Sequence, residues 1–337
     1  MWISLSKFRP LTFSRSDRKQ IDMPGLLTLE ELTADQLITL ADRSVELYRD
    51  RTRQDRPLAG LVAGIMFLQT STRTRAAFSI AAIRLGANIV TFGPKDLQLN
   101  SGESIDDTGR VFASMLDLLV VRTNRPTADL RALSCSGALP VFNAMSADEH
   151  PTQGVNDIAS LRLHCGDLTG LRFLYVGEGN SSAVALAKGL RHIPGCHATF
   201  WTPPGYGLDA ALVSICHSVA ADLGGSVTQI THVDELPADV AVVYTTRWQT
   251  TGTSKNDAAW RETFRPFYVD EILLRRWPDA LVMHDLPAHR GEEISAAALE
   301  GSRSIAWRQA AMKMPSAMAV LERAAGTCTV PKFDAGP

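Results

Sequence analysis

The chain has 337 residues, of which 45% are hydrophobic and 21% are charged. This composition is typical of a globular protein with enough apolar side chains for two hydrophobic cores. There are 34 basic and 36 acidic residues, so the formal net charge is -2 and gives no sign of a nucleic-acid partner. The longest apolar runs fall far short of the roughly 18 residues that a membrane span requires, so no membrane partner is expected.

Residues 1–22 contain five basic residues against Asp17 and Asp22, and they lack the continuous apolar centre of a secretory signal. We expect a disordered extension. Two alternatives stay open, namely an organelle-targeting peptide and a start codon placed too early, with Met23 as the true first residue.

From Thr33 onward the sequence predicts one α/β unit over residues 23–155. Thr33 and Gln36 form a capping box at the start of a helix. Strand-like runs follow at residues 61–68, 88–92, 118–121 and 139–142, with helical patterns between them.

A second unit is expected over residues 156–304. A helix over about residues 153–164 leads into strand-like runs at residues 171–176, 198–202, 226–230, 240–244 and 280–283. Alternation of short strands with helices predicts an α/β fold with two doubly wound parallel-sheet domains.

Polar segments follow the expected strands of both units. In the first unit they are residues 71–75 (STRTR), Arg122 and residues 150–153 (HPTQ); in the second they are residues 178–182, 246–249 and 284–287 (HDLP). Open parallel sheets bind ligands at the carboxyl ends of their strands, so we expect the two domains to face one cleft.

The STRTR segment predicts a phosphate site, because it lies where a strand becomes a helix. The first N–H groups of a helix have no intrahelical partner and carry partial positive charge. Arg73 adds a guanidinium fork. A capping segment with two surface arginines is the alternative when this loop is taken alone.

A dinucleotide site is the main competing interpretation of the second unit, since Gly177-Glu178-Gly179 follows a strand. The third glycine of that motif is replaced by Ser182, and the next strand ends in Pro203-Pro204 rather than an acidic ribose ligand. The motif therefore argues only weakly for a nucleotide.

The five cysteines are odd in number and show no CxxC spacing. A disulfide framework and a structural zinc site are therefore not expected, and we assign no metal. A reducing cytoplasm suits this composition.

STRTR, an arginine after a short strand, HPTQ before a helix and HxLP near the end occur in this order. Together they resemble the carbamoyltransferases that use carbamoyl phosphate, the aspartate and ornithine enzymes, over roughly residues 26–325. The HDLPAHRGEE segment, Trp248 with Gly252, and Gln309-Ala310 are similar to the ornithine branch. The resemblance implies an enzyme without a cofactor, and a C-terminal helix over residues 305–326 that returns to the first domain.

The resemblance also implies the carbamoyl phosphate ligands. They are Ser71, Thr72, Arg73 and Thr74 for the phosphate, Thr74, Arg122 and His150 for the carbonyl oxygen, and Gln153 with the Leu286 carbonyl for the NH₂ group. The expected catalytic residues are Arg73, Arg122, His150 and Gln153. The departing phosphate is expected to take the proton of the attacking amine, so no protein base is required.

In this family three chains assemble so that a loop of one completes the site of the next. The matching loop is residues 96–103, with Gln98 as the expected contact, and an ordinary surface loop is the alternative. We expect a homotrimer or a multiple of it. Lys313 stands where the ornithine branch has arginine, so it keeps the charge and loses the bidentate fork.

The acceptor half departs from the ornithine enzymes. They have paired asparagines, an aspartate two residues before tryptophan, a Ser-Met-Gly turn and an HCLP cysteine, where this chain has Asn180-Ser181, Thr246, Thr250-Thr251-Gly252 and Asp285. Arg247 and Gln249 are similar to carboxylate ligands of the aspartate branch. Asp285 is able to bind an ammonium, accept a proton or favour a shorter acceptor; a variant that points to solvent is the alternative.

We therefore expect an N-carbamoyltransferase that acts on an amine-bearing amino acid. A short diamino acid such as 2,3-diaminopropionate, carbamoylated for peptide antibiotic-type metabolism, is the preferred acceptor. Ornithine carbamoylation to citrulline is the first alternative. A non-catalytic homologue that binds carbamoyl phosphate or partner proteins is the second, and the complete STRTR, Arg122 and HPTQ set argues against it.

Overall fold

A computed structural model describes residues 25–50, 52, 55–250 and 254–326 of the chain. The expectation for residues 1–22 lies outside the described residues. The described part forms two parallel sheets with helices on their faces, and none of its helices is long and apolar enough to cross a membrane. Its cysteines, Cys135, Cys165, Cys196 and Cys216, are free thiols.

The first sheet has four parallel strands in the order β2-β1-β3-β4. The strands are β1 (Val62–Phe67), β2 (Asn88–Phe92), β3 (Leu118–Arg122) and β4 (Val141–Met145), and the helices among them are α1 (Ala34–Arg49), α2 (Arg73–Arg84), α3 (Ile105–Ala113) and α4 (Thr127–Leu133). In the register, Ala63 lies opposite Ile89 on one side and Leu118 on the other. The central strands β1 and β3 are almost wholly buried, as parallel strands covered on both faces are.

The long helix α5 (Pro151–Cys165) joins this sheet to a second one with the order β7-β6-β5-β8-β9. Its strands are β5 (Arg172–Val176), β6 (His197–Trp201), β7 (Ser226–Ile230), β8 (Val242–Thr245) and β9 (Leu281–His284). The helices that follow α5 in this half are α6 (Ser181–Leu190), α7 (Ala210–Asp222), α8 (Trp260–Phe264), α9 (Glu271–Leu274) and α10 (Ala296–Glu300). The strand order reverses between β1 and β3 and between β5 and β8, and such switch points form ligand crevices.

The last helix, α11 (Ala306–Glu322), packs against α1, α2 and α5. Val320 and Leu321 share a buried apolar cluster with Leu37 and Ala81 of the first domain. The chain therefore returns to the first domain, which confirms what the resemblance implied.

The predicted fold class is confirmed, because both sheets are parallel and every expected strand is present. The capping box is confirmed as well: Thr33 Oγ1 accepts from the Gln36 N–H at 3.2 Å, and Gln36 Oε1 accepts from the Thr33 N–H at 3.0 Å. The expected domain boundary between residues 155 and 156 falls inside the continuous helix α5, and the domain bounds stay predictions.

Candidate active site

A cavity of about 290 Å³ lies where the carboxyl ends of the two sheets meet. Its walls are formed by the segments that follow β1, β3, β5, β8 and β9, together with the start of α5 and with α11. Every residue expected in the site lines this cavity except Gln98 and Gln249. The polar segments thus converge as the strand topology requires, and the role of each residue stays a prediction.

The end of the cavity where a phosphate is expected to bind is formed by the first turn of α2. Residues 71–74 line it, and Thr72 is the N-cap of the helix. The Thr72 side chain makes no capping hydrogen bond, so it does not satisfy the first N–H groups of α2. An oxyanion is the natural partner for such N–H groups.

Three cations, Arg73, Arg122 and Lys313, converge on this end, and their charges outnumber those of the nearby carboxylates Asp157 and Asp285. Burial and the nearby charge of Arg73 lower the pKa of Arg122 to about 10, and burial lowers the pKa of Lys313 to about 8. Burial lowers the pKa of Arg73 as well. Among the described residues, Arg122 Nε is buried without a hydrogen-bond partner. A bound anion would relieve this repulsion, so the geometry favours an anionic ligand.

His150 stands beside these cations as the N-cap of α5 and is buried. Burial, together with the charges of Arg122 and Lys313, lowers its pKa well below the usual value. The imidazole is therefore neutral at neutral pH and offers one N–H donor without adding charge. Its backbone N–H donates to the Ser181 carbonyl at 3.0 Å, which joins the start of α5 to the start of α6.

The acceptor end carries a carboxylate. Asp285 accepts from Ser182 Oγ at 3.1 Å and from Thr246 Oγ1 at 3.0 Å, and its side chain is 16% exposed. Asn180 Oδ1 caps α6, and Asn180 Nδ2 donates to Thr246 Oγ1 at 3.4 Å. Asp285 therefore lies in the cavity wall rather than pointing to solvent.

The segment after β8 lies partly in the cavity wall. Arg247 and Thr250 line it, and Thr250 Oγ1 donates to Glu178 Oε2 at 2.9 Å. Trp248 packs on Phe264 beside the cavity. Thr251 and Gly252 lie outside the described residues, so the structure does not report on the turn that was compared with the ornithine branch.

Gln98 lies outside the cavity of its own chain. It begins the short 3-10 helix Gln98–Ser101, is exposed, and its Oε1 accepts from Ser101 Oγ at 2.6 Å. Its contact with a neighbouring subunit stays a prediction.

The presence of glycine at position 179 is explained by chain packing, without a bound nucleotide. A Cβ at this position would lie 2.4 Å from the Gly207 carbonyl carbon, and the Gly179 N–H donates to the Tyr206 carbonyl at 2.7 Å. The glycine is needed because two loops of the same chain cross here. The dinucleotide interpretation therefore loses its main support.

Sequence reasoning missed four residues of the cavity wall, namely Thr70, Met145, Ser182 and Pro287. Ser182 and Pro287 belong to segments already recognised as polar and strand-following. Met145 was missed because β4 was expected to end at residue 142, whereas it begins after Pro140 and runs to Met145.

Among the described residues, His289, Glu292 and Glu293 lie close enough to share a metal ion, with ligand atoms within 4.8 Å of one another. They lie outside the cavity wall, and Glu293 already accepts hydrogen bonds from His284 Nε2 and from the His289 N–H. The expectation of no metal stays a prediction.

Comparison with known proteins gives matches over both halves of the chain. The family model of the aspartate/ornithine carbamoyltransferase carbamoyl-P binding domain matches residues 25–162, and that of the Asp/Orn binding domain matches residues 169–324. An ornithine carbamoyltransferase of Gloeobacter violaceus is 33% identical over 299 residues, which is 88% of this chain and 94% of that protein. One of Acidothermus cellulolyticus is 35% identical over 294 residues, covering 87% of this chain and 93% of that protein. The solved ornithine carbamoyltransferase from Pyrococcus furiosus has a TM-score of 0.84 and 31% identity, and the match covers 90% of this chain and 97% of that chain.

Proposed function

This chain belongs to the aspartate/ornithine carbamoyltransferase family and is a carbamoyltransferase, and on that premise we propose that it carbamoylates the side-chain amine of ornithine. The names of the relatives support ornithine, which was expected from the sequence only as the first alternative acceptor. The relatives compared above do not support 2,3-diaminopropionate. The match to ornithine carbamoyltransferases is the observation that carries the proposal, and the polarity of the cavity, with cations at one end and the Asp285 carboxylate at the other, supports an anionic donor and an amine-bearing acceptor.

The cationic end suits carbamoyl phosphate. We assign its phosphate to the first turn of α2 and Arg73, and its carbonyl oxygen to Thr74, Arg122 and the neutral His150. Donors held in place before the reaction stabilise the oxyanion that forms under attack. The NH₂ group is assigned to Gln153 Oε1 and the Leu286 carbonyl, since both are acceptors in the cavity wall.

The reaction follows from this arrangement. The amine nitrogen of the acceptor forms a bond to the carbamoyl carbon, and the bond from that carbon to the phosphate oxygen breaks. The proton that the amine loses leaves on the phosphate, which is held beside it. Positioning and oxyanion stabilisation are then the main contributions of the protein.

A short diamino acid is the second candidate acceptor, and one observation favours it. Asp285 is held by two hydroxyls within the cavity, where a carboxylate is able to bind the second ammonium of a short diamine. Such a product would belong to specialised, peptide antibiotic-type metabolism. Ornithine remains the proposed acceptor because the relatives carry that name.

A panel of acceptors tests the proposal. Purified protein is incubated with carbamoyl phosphate and ornithine, 2,4-diaminobutyrate, 2,3-diaminopropionate or aspartate, and phosphate release and the ureido product are measured. We expect the highest kcat/KM with ornithine. A higher value with 2,3-diaminopropionate would transfer the proposal to the second candidate, and no product with any amine would contradict the assigned reaction.

We also propose that the enzyme works as a cytoplasmic homotrimer.

A further inference from the structure

Asp157 is a buried carboxylate of α5 that collects hydrogen bonds from both halves of the molecule. Its Oδ1 accepts from Gln153 Nε2 and from Gln309 Nε2, each at 2.7 Å, and from Asn156 Nδ2 at 3.2 Å. Its Oδ2 accepts from the Tyr244 hydroxyl at 3.0 Å. The donors belong to α5, α11 and β8, so Asp157 lies where the two domains meet.

This carboxylate determines which way two amide side chains face. An ionised carboxylate only accepts hydrogen bonds, so Gln153 and Gln309 must both turn their NH₂ groups toward it. Their oxygens then face away. Gln153 Oε1 accepts from Lys313 Nζ in the cavity wall, and Gln309 Oε1 accepts from the His284 N–H at 3.0 Å.

The side-chain amides of Gln153 and Gln309 both influence hydrogen-bond acceptors that face the cavity. Gln153 lines it directly. Gln309 holds the end of β9, where His284 Nδ1 accepts from the Leu286 N–H at 2.8 Å. Leu286 has a φ of 53°, a left-handed conformation that costs a residue with a side chain about 1 kcal/mol. The surrounding hydrogen bonds therefore hold the loop that presents the Leu286 carbonyl.

We propose that Asp157 is a positioning residue that makes the cavity present hydrogen-bond acceptors to the NH₂ group of carbamoyl phosphate. It thereby selects this donor over acyl phosphates that lack an NH₂ group. This inference rests on the proposed function, because Gln153 and the Leu286 carbonyl are assigned there as the ligands of the NH₂ group.

The charges around Asp157 are consistent with this role. Burial raises its pKa to about 6, while the charge of Lys313 and the hydrogen bonds from Gln309 and Gln153 oppose that rise. Asp285 adds to the rise. Asp157 is therefore mainly ionised at neutral pH, and it also serves as a buried counter-charge for Lys313.

Acetyl phosphate is the probe that separates positioning from general structural support. It keeps the phosphate and the carbonyl and carries a methyl group in place of the NH₂ group. A site that offers acceptors to an NH₂ group discriminates against an analogue without it, because those acceptors lose their partner. A change of the affinity ratio between protein variants, measured by calorimetry, therefore reports on the acceptors rather than on the ligands of the phosphate and the carbonyl.

The Asp157→Asn variant introduces one NH₂ group at this position. That group either donates to the Tyr244 hydroxyl or turns toward the glutamines and inverts their amides. Tyr244→Phe removes the first possibility, so in the double variant Asp157→Asn with Tyr244→Phe the new NH₂ group finds an acceptor only by turning toward the glutamines. Tyr244→Phe alone is the matched control, because it leaves the carboxylate and both glutamine contacts in place.

We expect the control to keep the ratio of carbamoyl phosphate to acetyl phosphate affinity within about twofold of the unmodified protein, and the double variant to lower it about tenfold, which corresponds to one lost hydrogen bond. Asp157→Asn alone should lower the ratio about threefold, and it decides the matter if the double variant does not fold. Equal loss of both phosphates, or an unchanged ratio, in the Asn-containing variants would overturn the inference. An unmodified protein that binds neither phosphate would overturn the proposed function as well.

Discussion

At the scale of single residues, the acceptor end of the cavity is defined by where its carboxylate lies. Asp285 and Thr246 are joined by a hydrogen bond of 3.0 Å, so an exchange of their side-chain types would move one negative charge by only a few ångströms. In a cleft that excludes water, such a move changes which ammonium group of the substrate finds a counter-charge. We therefore expect acceptor choice to be sensitive to these two positions.

The double change Asp285→Cys with Thr246→Asp tests this sensitivity. We expect it to raise kcat/KM for ornithine relative to that for 2,3-diaminopropionate by about tenfold or more, because specificity is a difference between two binding energies. Affinity for carbamoyl phosphate should stay nearly constant, since its assigned ligands are unchanged. The measurement is kcat/KM for both amines with the unmodified protein and with the double variant. If the ratio of the two kcat/KM values is the same in both proteins, Asp285 does not contribute to acceptor recognition.

His150 allows a sharper test of the oxyanion assignment. Its imidazole is neutral, so His150→Ala removes a hydrogen-bond donor without removing a charge. We expect kcat to fall by roughly two to three powers of ten, as losing one oxyanion donor does, with a smaller effect on carbamoyl phosphate affinity. A near-normal kcat in a folded variant would contradict the role proposed for His150.

At the scale of helices and strands, most of the elements that were predicted correctly were predicted from local sequence patterns. The capping box at Thr33 and the apolar strand runs were visible because each depends on neighbours in sequence. The predicted ends of strands were less accurate than their existence. For β4, pairing with β3 decides where the strand ends, and the local sequence does not show this pairing.

Among the residues around the site, Asp157 was not recognised from the sequence. Its partners Tyr244 and Gln309 are 87 and 152 residues away, and no local pattern reports such contacts.

Helix α11 contributes a residue whose charge depends on pH. Burial lowers the pKa of Lys313 to about 8, with Asp157 and Asp285 raising it and Arg73 and Arg122 lowering it. We expect the protonated form of Lys313 to attract the phosphate of the substrate. As pH rises through about 8, the unliganded enzyme loses this charge, so KM for carbamoyl phosphate should rise.

Lys313→Arg is the matched variant, since arginine keeps its charge over this range. We expect its KM for carbamoyl phosphate to stay flat between pH 7 and 9, whereas that of the unmodified protein rises several-fold. The measurement is the pH profile of KM at saturating acceptor. Identical profiles for the two proteins would show that another group causes the change.

At the scale of the whole molecule, the expected contribution of Gln98 to the cavity comes from another subunit. Gln98 lies outside its own cavity and is exposed. Its loop is therefore free, within one chain, to reach a neighbouring site. A closed ring of identical chains gives each site one such neighbour.

Complementation between two inactive proteins tests this assembly. Arg73→Ala chains and Gln98→Ala chains are expressed together, so that mixed oligomers form. If Gln98 acts in the site of a neighbour, random mixing leaves about a quarter of the sites with both residues intact, and activity should return to about that fraction. The control replaces the Gln98→Ala chain with a chain that carries both substitutions, which leaves no intact Arg73 and should stay inactive. Sedimentation should show a trimer or a multiple of it; a fully active monomer, or no recovery in the mixed oligomers, would place Gln98 outside the site.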